Sequence, residues 1–207
     1  MCAAYSTIVG GYDNQMCVGE HCWPSYSVIA GGGSNIINDE TIYNAISGGF
    51  CNFINLSSYD TISGGCGNCI CYASNGSTIS GGYGNFIGGV QDGWQCLSFI
   101  GSGQNNCITG AISGGCASFG VISGGCNNTI SNACFSAILG GSGNTIGAGF
   151  DHVGIFGQNI TNVCSNTFHV NCLNACDTPG YSASLPTGTI FKHSGSAPPS
   201  GTPLYIM

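Results

Sequence analysis

The sequence predicts an all-β protein, a parallel β-solenoid with a small C-terminal β cap. Three observations carry this. A motif recurs along most of the chain with a modal spacing of 16 to 17 residues, too short for a helical-hairpin repeat. Its copies are short β-type runs that end in Gly-Gly. No segment has the i, i+3, i+4 apolar spacing of a helix, and good helix formers are scarce.

The repeat reads Ile-x-Gly-Gly-x-x-Asn-x-Ile. Its first position is Ile8, Ile29, Ile46, Ile62, Ile79, Ile100, Ile112, Ile122 and Ile138, and its second glycine runs from Gly11 to Gly141 without exception. The asparagine recurs at Asn14, Asn35, Asn52, Asn68, Asn85, Asn106, Asn128 and Asn144, with Ser118 in its place once. The closing position is Met16 or an isoleucine (Ile37, Ile54, Ile70, Ile87, Ile108, Ile130, Ile146), with Gly120 as the exception. Upstream, Tyr5, Tyr26, Tyr43, Tyr59, Phe119 and Phe135 share one further position.

Each copy then reads as one coil, stacked on the last at about 4.8 Å with backbone paired to backbone. The isoleucines should point inward and be buried. Glycine should mark corners with positive φ or with another backbone too close for a Cβ. The asparagines should form a ladder, each amide bonding the next. This domain spans residues 1–160.

Departures from the period are informative. Intervals between first positions are 21, 17, 16, 17, 21, 12, 10, 16 and 17, the last reaching a degenerate copy around Gly157. Extra residues fall between the closing isoleucine and the next aromatic position, so inserts should leave every coil at one edge. The copies at Ile112 and Ile122 are too close for a full coil. Either 102–124 is one coil with a repeat-like insertion, or the cross-section narrows. Residues 161–207 read as a cap or connector: Thr167 to Asn171 alternates like a strand, and five of the six prolines lie from Pro179 to Pro203.

Composition excludes several functions. One lysine and eight acids give a net charge of −7, and Lys192 is the sole Lys or Arg. Such a chain cannot neutralise a row of phosphates, so nucleic-acid binding is not expected. Gly and Asn interrupt every apolar run before the 18 or so residues of a membrane span, so insertion is not expected either. Met1 to Ser6 lacks the cationic start and apolar stretch of a signal peptide.

The best copies, Tyr5 to Met16, Tyr59 to Ile70 and Ser136 to Ile146, resemble the short repeats of trimeric adhesin heads and related phage and virus fibres. Those are often written Ser-Thr-Val-Gly-Gly-Gly-x-x-Asn-Thr-Ala-Ser-Gly. The resemblance covers roughly residues 5–160. The Asn-Thr-Phe-His-Val-Asn stretch after it looks like a strand that follows the repeats in some viral fibre proteins. The resemblance implies a left-handed β-roll, a homotrimer, and an adhesive or structural role. Departures are the missing coiled-coil stalk, the missing C-terminal chaperone domain, and cysteine at repeat positions.

Fifteen cysteines need a reading. Cys66, Cys116 and Cys126 take the first variable position, Cys51 the second, and Cys69 and Cys107 follow the asparagine. They are expected to fill columns beside isoleucine as small buried hydrophobes. Disulfides within or between chains are the alternative. Cys172 and Cys176 near His169 are the one zinc-like spacing, and no metal or cofactor is expected.

The two longest inserts each hold one of the only two tryptophans, Trp23 and Trp94. Gln91-Asp92-Gly93-Trp94 sets an aromatic among amides and an acid, the make-up of a sugar platform, so Trp23, Gln91, Asp92 and Trp94 are the candidate ligand-binding residues. Rings packed over the coil edge or between subunits are the plainer reading. No pair of acids stands in a glycosidase-like relation, so no catalytic residue is expected.

The expectation is a non-enzymatic viral fibre or spike, of the phage or algal-virus kind. It would be assembled in host cytoplasm, carried on the virion, and bound to other virion proteins and a host-surface glycan or protein. A self-assembling filament or decoration subunit is the alternative, and a tailspike-type glycan-degrading enzyme the third.

Overall fold

The computed structural model describes residues 5–16, 25–38, 41–72, 74–89, 97–110 and 119–171. They contain no helix, and two parallel sheets account for every strand. The first sheet stacks ten strands: Thr7–Ile8, Val28–Ile29, Ala45–Ile46, Thr61–Ile62, Thr78–Ile79, Phe99–Ile100, Val121–Ile122, Ala137–Ser142, Val153–Gln158 and Thr167–Val170. The second stacks eight, each following a repeat asparagine, from Gln15–Met16 to Thr145–Ile146. Strands of the two sheets alternate along the chain as far as Val153–Gln158, so each coil contributes one to each. The protein is a parallel β-solenoid, as the repeat predicts.

Register follows the repeat. Ile29 pairs with Ile46, Ile46 with Ile62, and Ile62 with Ile79; in the second sheet Ile37 pairs with Ile54 and Ile54 with Ile70. Side chains alternate across a strand, so one isoleucine per strand points in. Ile29, Ile46, Ile62, Ile79, Ile100, Ile122 and Ile138 are fully buried, as are Ile37 to Ile146 of the second sheet. Together with Val153, Ile155 and Ala133 they form one core.

Among the described first-position isoleucines one departs from this. Ile8 is 42% exposed, because it lies in the first described rung and is backed only by Ile29. Ile112 lies outside the described residues. Ile100 pairs directly with Ile122, and Ile108 with Ile130, so the ladder passes over residues 111–118, which lie outside the described residues. Of the two possibilities for 102–124, one coil with an insertion is correct. Gly120 accordingly stands before the Val121–Ile122 strand, where its carbonyl accepts the Phe99 N–H.

Every coil turns through left-handed backbone at several points. In one coil these are Tyr26 (φ 56°), Gly32 (φ 84°) and Ser34 (φ 53°). The second glycine is there for space as much as conformation. A Cβ on Gly65 would stand 2.2 Å from the Gly82 carbonyl oxygen and 2.6 Å from Asn68 Nδ2. The first glycine is different: a Cβ on Gly64 would meet nothing within 4 Å. This explains why Ser102 can replace the first glycine while the second never varies.

The asparagine ladder forms as expected. Asn52 Oδ1 accepts the Asn68 N–H at 3.1 Å, Asn68 Oδ1 the Asn85 N–H at 3.0 Å, and Asn85 Oδ1 the Asn106 N–H at 3.0 Å. The series runs from Asn14 through Asn128 and Asn144 to the Ile160 N–H. Each Nδ2 also donates to a carbonyl of its own coil and one of the next, as Asn85 does to Gly81 and Gly103 and Asn106 to Ser102 and Gly125. Asn35 to Asn144 are buried and their amides are used on both sides.

Beyond residue 160 the first sheet continues, since Thr167–Val170 pairs in parallel with Val153–Gln158. Residues 172–207 form a second unit outside the described residues.

Candidate functional surface

Within the solenoid, the segments outside the described residues (17–24, 39–40, 73, 90–96 and 111–118) all lie between a second-sheet strand and the next first-sheet strand. The coil therefore varies in length at one corner. Trp23, Gln91, Asp92 and Trp94 fall in these segments and lie outside the described residues. What is described is the scaffold from which they leave.

Next to that corner runs a column of exposed rings. Tyr5, Tyr26, Tyr43 and Tyr59 stack with centroids 5.1, 5.0 and 5.2 Å apart and planes within 18°. Phe119, Phe135 and His152 continue the column at 4.9 and 5.3 Å. Gly76 and Leu97 interrupt it. A Cβ on Gly76 would stand 2.9 Å from Leu97 Cδ2, so the leucine leans over the gap.

In-register stacking of coils places ring on ring at about the strand spacing. The geometry is costly at the backbone, since Tyr43 has φ 59° and Tyr59 φ 64°, a conformation that disfavours bulky residues by about 1–2 kcal/mol. Stacking offsets this, at about 0.5–1.5 kcal/mol per pair. A cross-rung bond also helps: Tyr43 N–H donates to the Ser25 carbonyl and Tyr59 N–H to the Ile42 carbonyl. Tyr26, Tyr43 and Phe135 have both faces used by neighbouring rings, so these present edges outward.

A second polar ladder lies just inside this column. The Ser27 N–H donates to Ser6 Oγ, Asn44 N–H to Ser27 Oγ, Asp60 N–H to Asn44 Oδ1, Ser77 N–H to Asp60 Oδ1, and Ser98 N–H to Ser77 Oγ. Asp60 is fully buried here. Burial pushes its carboxyl up to about 7, against hydrogen bonds from Ser57 Oγ and the Ser77 and Gly76 backbone that favour the charge. Nothing in the repeat pattern singles out Asp60 by residue type. Its signal is its place two residues before Ile62, where Ser27 and Asn44 stand before Ile29 and Ile46.

The other described carboxylates also serve the chain. Asp151 Oδ1 accepts the Cys134 N–H at 2.7 Å, and Asp13 Oδ1 accepts from Gln15 Nε2 at 3.0 Å. His152 is in the ring column, and His169 Nε2 meets Thr167 Oγ1 at 2.8 Å. Among the described residues no three His, Cys, Asp or Glu side chains gather as metal ligands.

The cysteines differ from expectation. Among the eight described, all free thiols, only Cys71 is buried; Cys51 and Cys164 are exposed and the rest half-buried. Those in strands, Cys69, Cys71 and Cys107, take the positions that alternate with the buried Ile70 and Ile108. Cys69 and Cys71 bring their sulfurs to 3.3 Å. The sequence reading did not single out Cys71.

No protein-family model matches the sequence, and no curated protein is significantly similar to it. The fold and surface define the class: a β-solenoid that stacks on itself and varies at one edge.

Proposed function

We propose that the chain is a non-enzymatic fibre or spike segment of a virus particle, of the phage or algal-virus kind, which as a homotrimer attaches the particle to a host-surface glycan or protein. One observation carries this reading: the core, the asparagine ladder and the glycine corner are given over to stacking, while the chain varies in length at a single corner next to the exposed ring column. A rigid rod with one variable edge suits display. Repetition on three chains would let individually weak contacts add up. Resemblance of the repeat to trimeric fibre proteins supports the same reading. With nine charged residues in the whole chain, subunit contacts would rest on burial and resist salt.

The test is native mass measurement followed by binding to host cells or a glycan array, with Trp23→Ala and Trp94→Ala beside wild type. A trimer whose binding both variants weaken supports attachment. Unchanged binding by both removes the tryptophans from the site.

One feature favours the structural alternative, a decoration or filament subunit. Within the Tyr5–Tyr59 column, Tyr26 and Tyr43 offer ring edges and hydroxyls rather than the open faces on which a sugar ring stacks. Such a strip suits contact with a neighbouring protein. An assembly in which the column is buried, with no glycan binding, would favour it. Release of oligosaccharide over time would instead mark an enzyme.

A further inference from the structure

Alternate residues of a strand point to the same side, so in Cys69–Cys71 the buried Ile70 faces the core and the two thiols face away from it. Their sulfurs lie 3.3 Å apart. Residues two apart in an extended strand have Cα atoms about 6.6 Å apart, inside the limit of about 6.8 Å for a disulfide. Cys69 pairs with Phe53 and Phe86, whereas Cys71 pairs with Asn55 and Gly88, and the Phe86 ring covers the space over Gly88.

We infer that Cys69 and Cys71 form a redox-modifiable dithiol, which a small-molecule disulfide of the glutathione class converts into an intrastrand disulfide. The protonation of the pair assists this. At this short contact either sulfur can donate to the other, so loss of one proton to solvent leaves a thiolate held by the remaining thiol, and the thiolate is the reactive form.

Cys69, the more open residue, attacks one sulfur of oxidised glutathione and expels a glutathione thiolate. Cys71 gives its proton to that thiolate, attacks Cys69 sulfur and expels the second glutathione. Two protein thiols lose two electrons and two protons; one glutathione disulfide becomes two glutathione thiols. The ring closes across a single residue, so it removes little chain entropy and stabilises the fold little. It records the redox surroundings rather than stapling the coil.

Cys107 supplies an internal comparison. It stands in the same outward column as Cys69, with Phe86 between them. Its second neighbour is Thr109 rather than a thiol, and burial alone pushes its thiol up. Cys107 therefore lacks the resolving partner.

The folded full-length chain is reduced, treated with oxidised glutathione, then alkylated and mapped by mass spectrometry. The expected result is a peptide carrying residues 69–71 that has lost two hydrogens and holds neither alkyl group nor glutathione, restored by dithiothreitol, with melting temperature almost unchanged. The Cys107 peptide should stay alkylated or carry glutathione. Cys71→Ser should trap glutathione on Cys69. Alkylation of Cys69 and Cys71 to the same extent as Cys107, or a glutathione retained on each, would overturn the inference. So would bridging that is equally complete in urea, since folding would then contribute nothing. The readout is chemical and stands whether or not the chain attaches to a host.

Discussion

Two corners of the same coil behave in opposite ways. At the second glycine of the Gly-Gly corner, the next coil's backbone and the asparagine amide lie too close for any added atom, and that glycine recurs without exception. At the corner between the second-sheet strand and the ring column, the chain gains or loses several residues from coil to coil, yet Ile100 still meets Ile122. Constraint follows contact with the neighbouring rung, not position in the repeat. The tight corner sets the register, and the loose corner is free to carry whatever the protein displays.

The largest way to break this arrangement is a charge inside the coil. Ile62→Asp should abolish folding, because a carboxylate would sit in a column of fully buried isoleucines with no partner. Circular dichroism and gel filtration would show it, and an ordered soluble variant would count against the register. Ile62→Val should lose only about 1 kcal/mol in denaturant unfolding.

The ladder at the tight corner comes next. Asn85→Ala removes the acceptor of the Asn106 N–H and the donor to Gly81 and Gly103. The Gly103 carbonyl keeps the Tyr83 N–H, so at about 1–3 kcal/mol for each of the two groups left unsatisfied the loss should be about 4 kcal/mol. A loss below about 1 kcal/mol would show that the ladder contributes little.

Asp60 sharpens the comparison through pH. Its folded value, pushed up to about 7 by burial, lies above the unfolded 3.8. The folded state then holds the proton that the unfolded state releases, so the contribution is full below about pH 4 and is lost as pH rises through about 7. The span is about 4 kcal/mol at most. Unfolding by denaturant between pH 4 and 8 should show falling stability. Asp60→Asn, which copies Asn44 in the same ladder, should flatten the profile and raise stability at pH 8. A stability that climbs from pH 4 to 8 in wild type would contradict the burial of this carboxyl.

The smallest effect belongs to the loose corner. Tyr43→Ala loses two stacking contacts, about 1 kcal/mol or slightly more in all. Tyr43→Gly should lose less, since glycine adopts φ 59° without strain. If glycine proves the worse substitution, the stack is not what offsets the backbone.

The core, the register and the asparagine ladder were legible because each coil buries the same positions, and burial leaves a periodic trace. Ile112 misled because Ile-x-Gly-Gly inside an insertion reads like a rung; only pairing across 111–118 separates the two. Ile8 misled because a repeat cannot show which copy has a neighbour on one side only. The role of Asp60 stayed hidden among serines and an asparagine, since that ladder selects an acceptor atom rather than a residue type. Cys69 and Cys71 were visible as residues, but their meeting depends on side-chain direction, which spacing alone does not give. Trp23, Gln91, Asp92 and Trp94 belong to the corner where the ladder imposes nothing, so the fold says least about them.

The central claim, that backbone contact between rungs fixes the repeat, is tested most directly at adjacent glycines. Gly64→Ala and Gly65→Ala make the same substitution one position apart, and only Gly65 has a left-handed backbone, at φ 85°. Gly64 has open space around it, while a Cβ on Gly65 would strike the next coil's carbonyl and the Asn68 amide. Thermal or denaturant unfolding should leave Gly64→Ala within about 0.5 kcal/mol of wild type and should find Gly65→Ala unfolded or severely destabilised. Equal stability of the two variants would contradict the account.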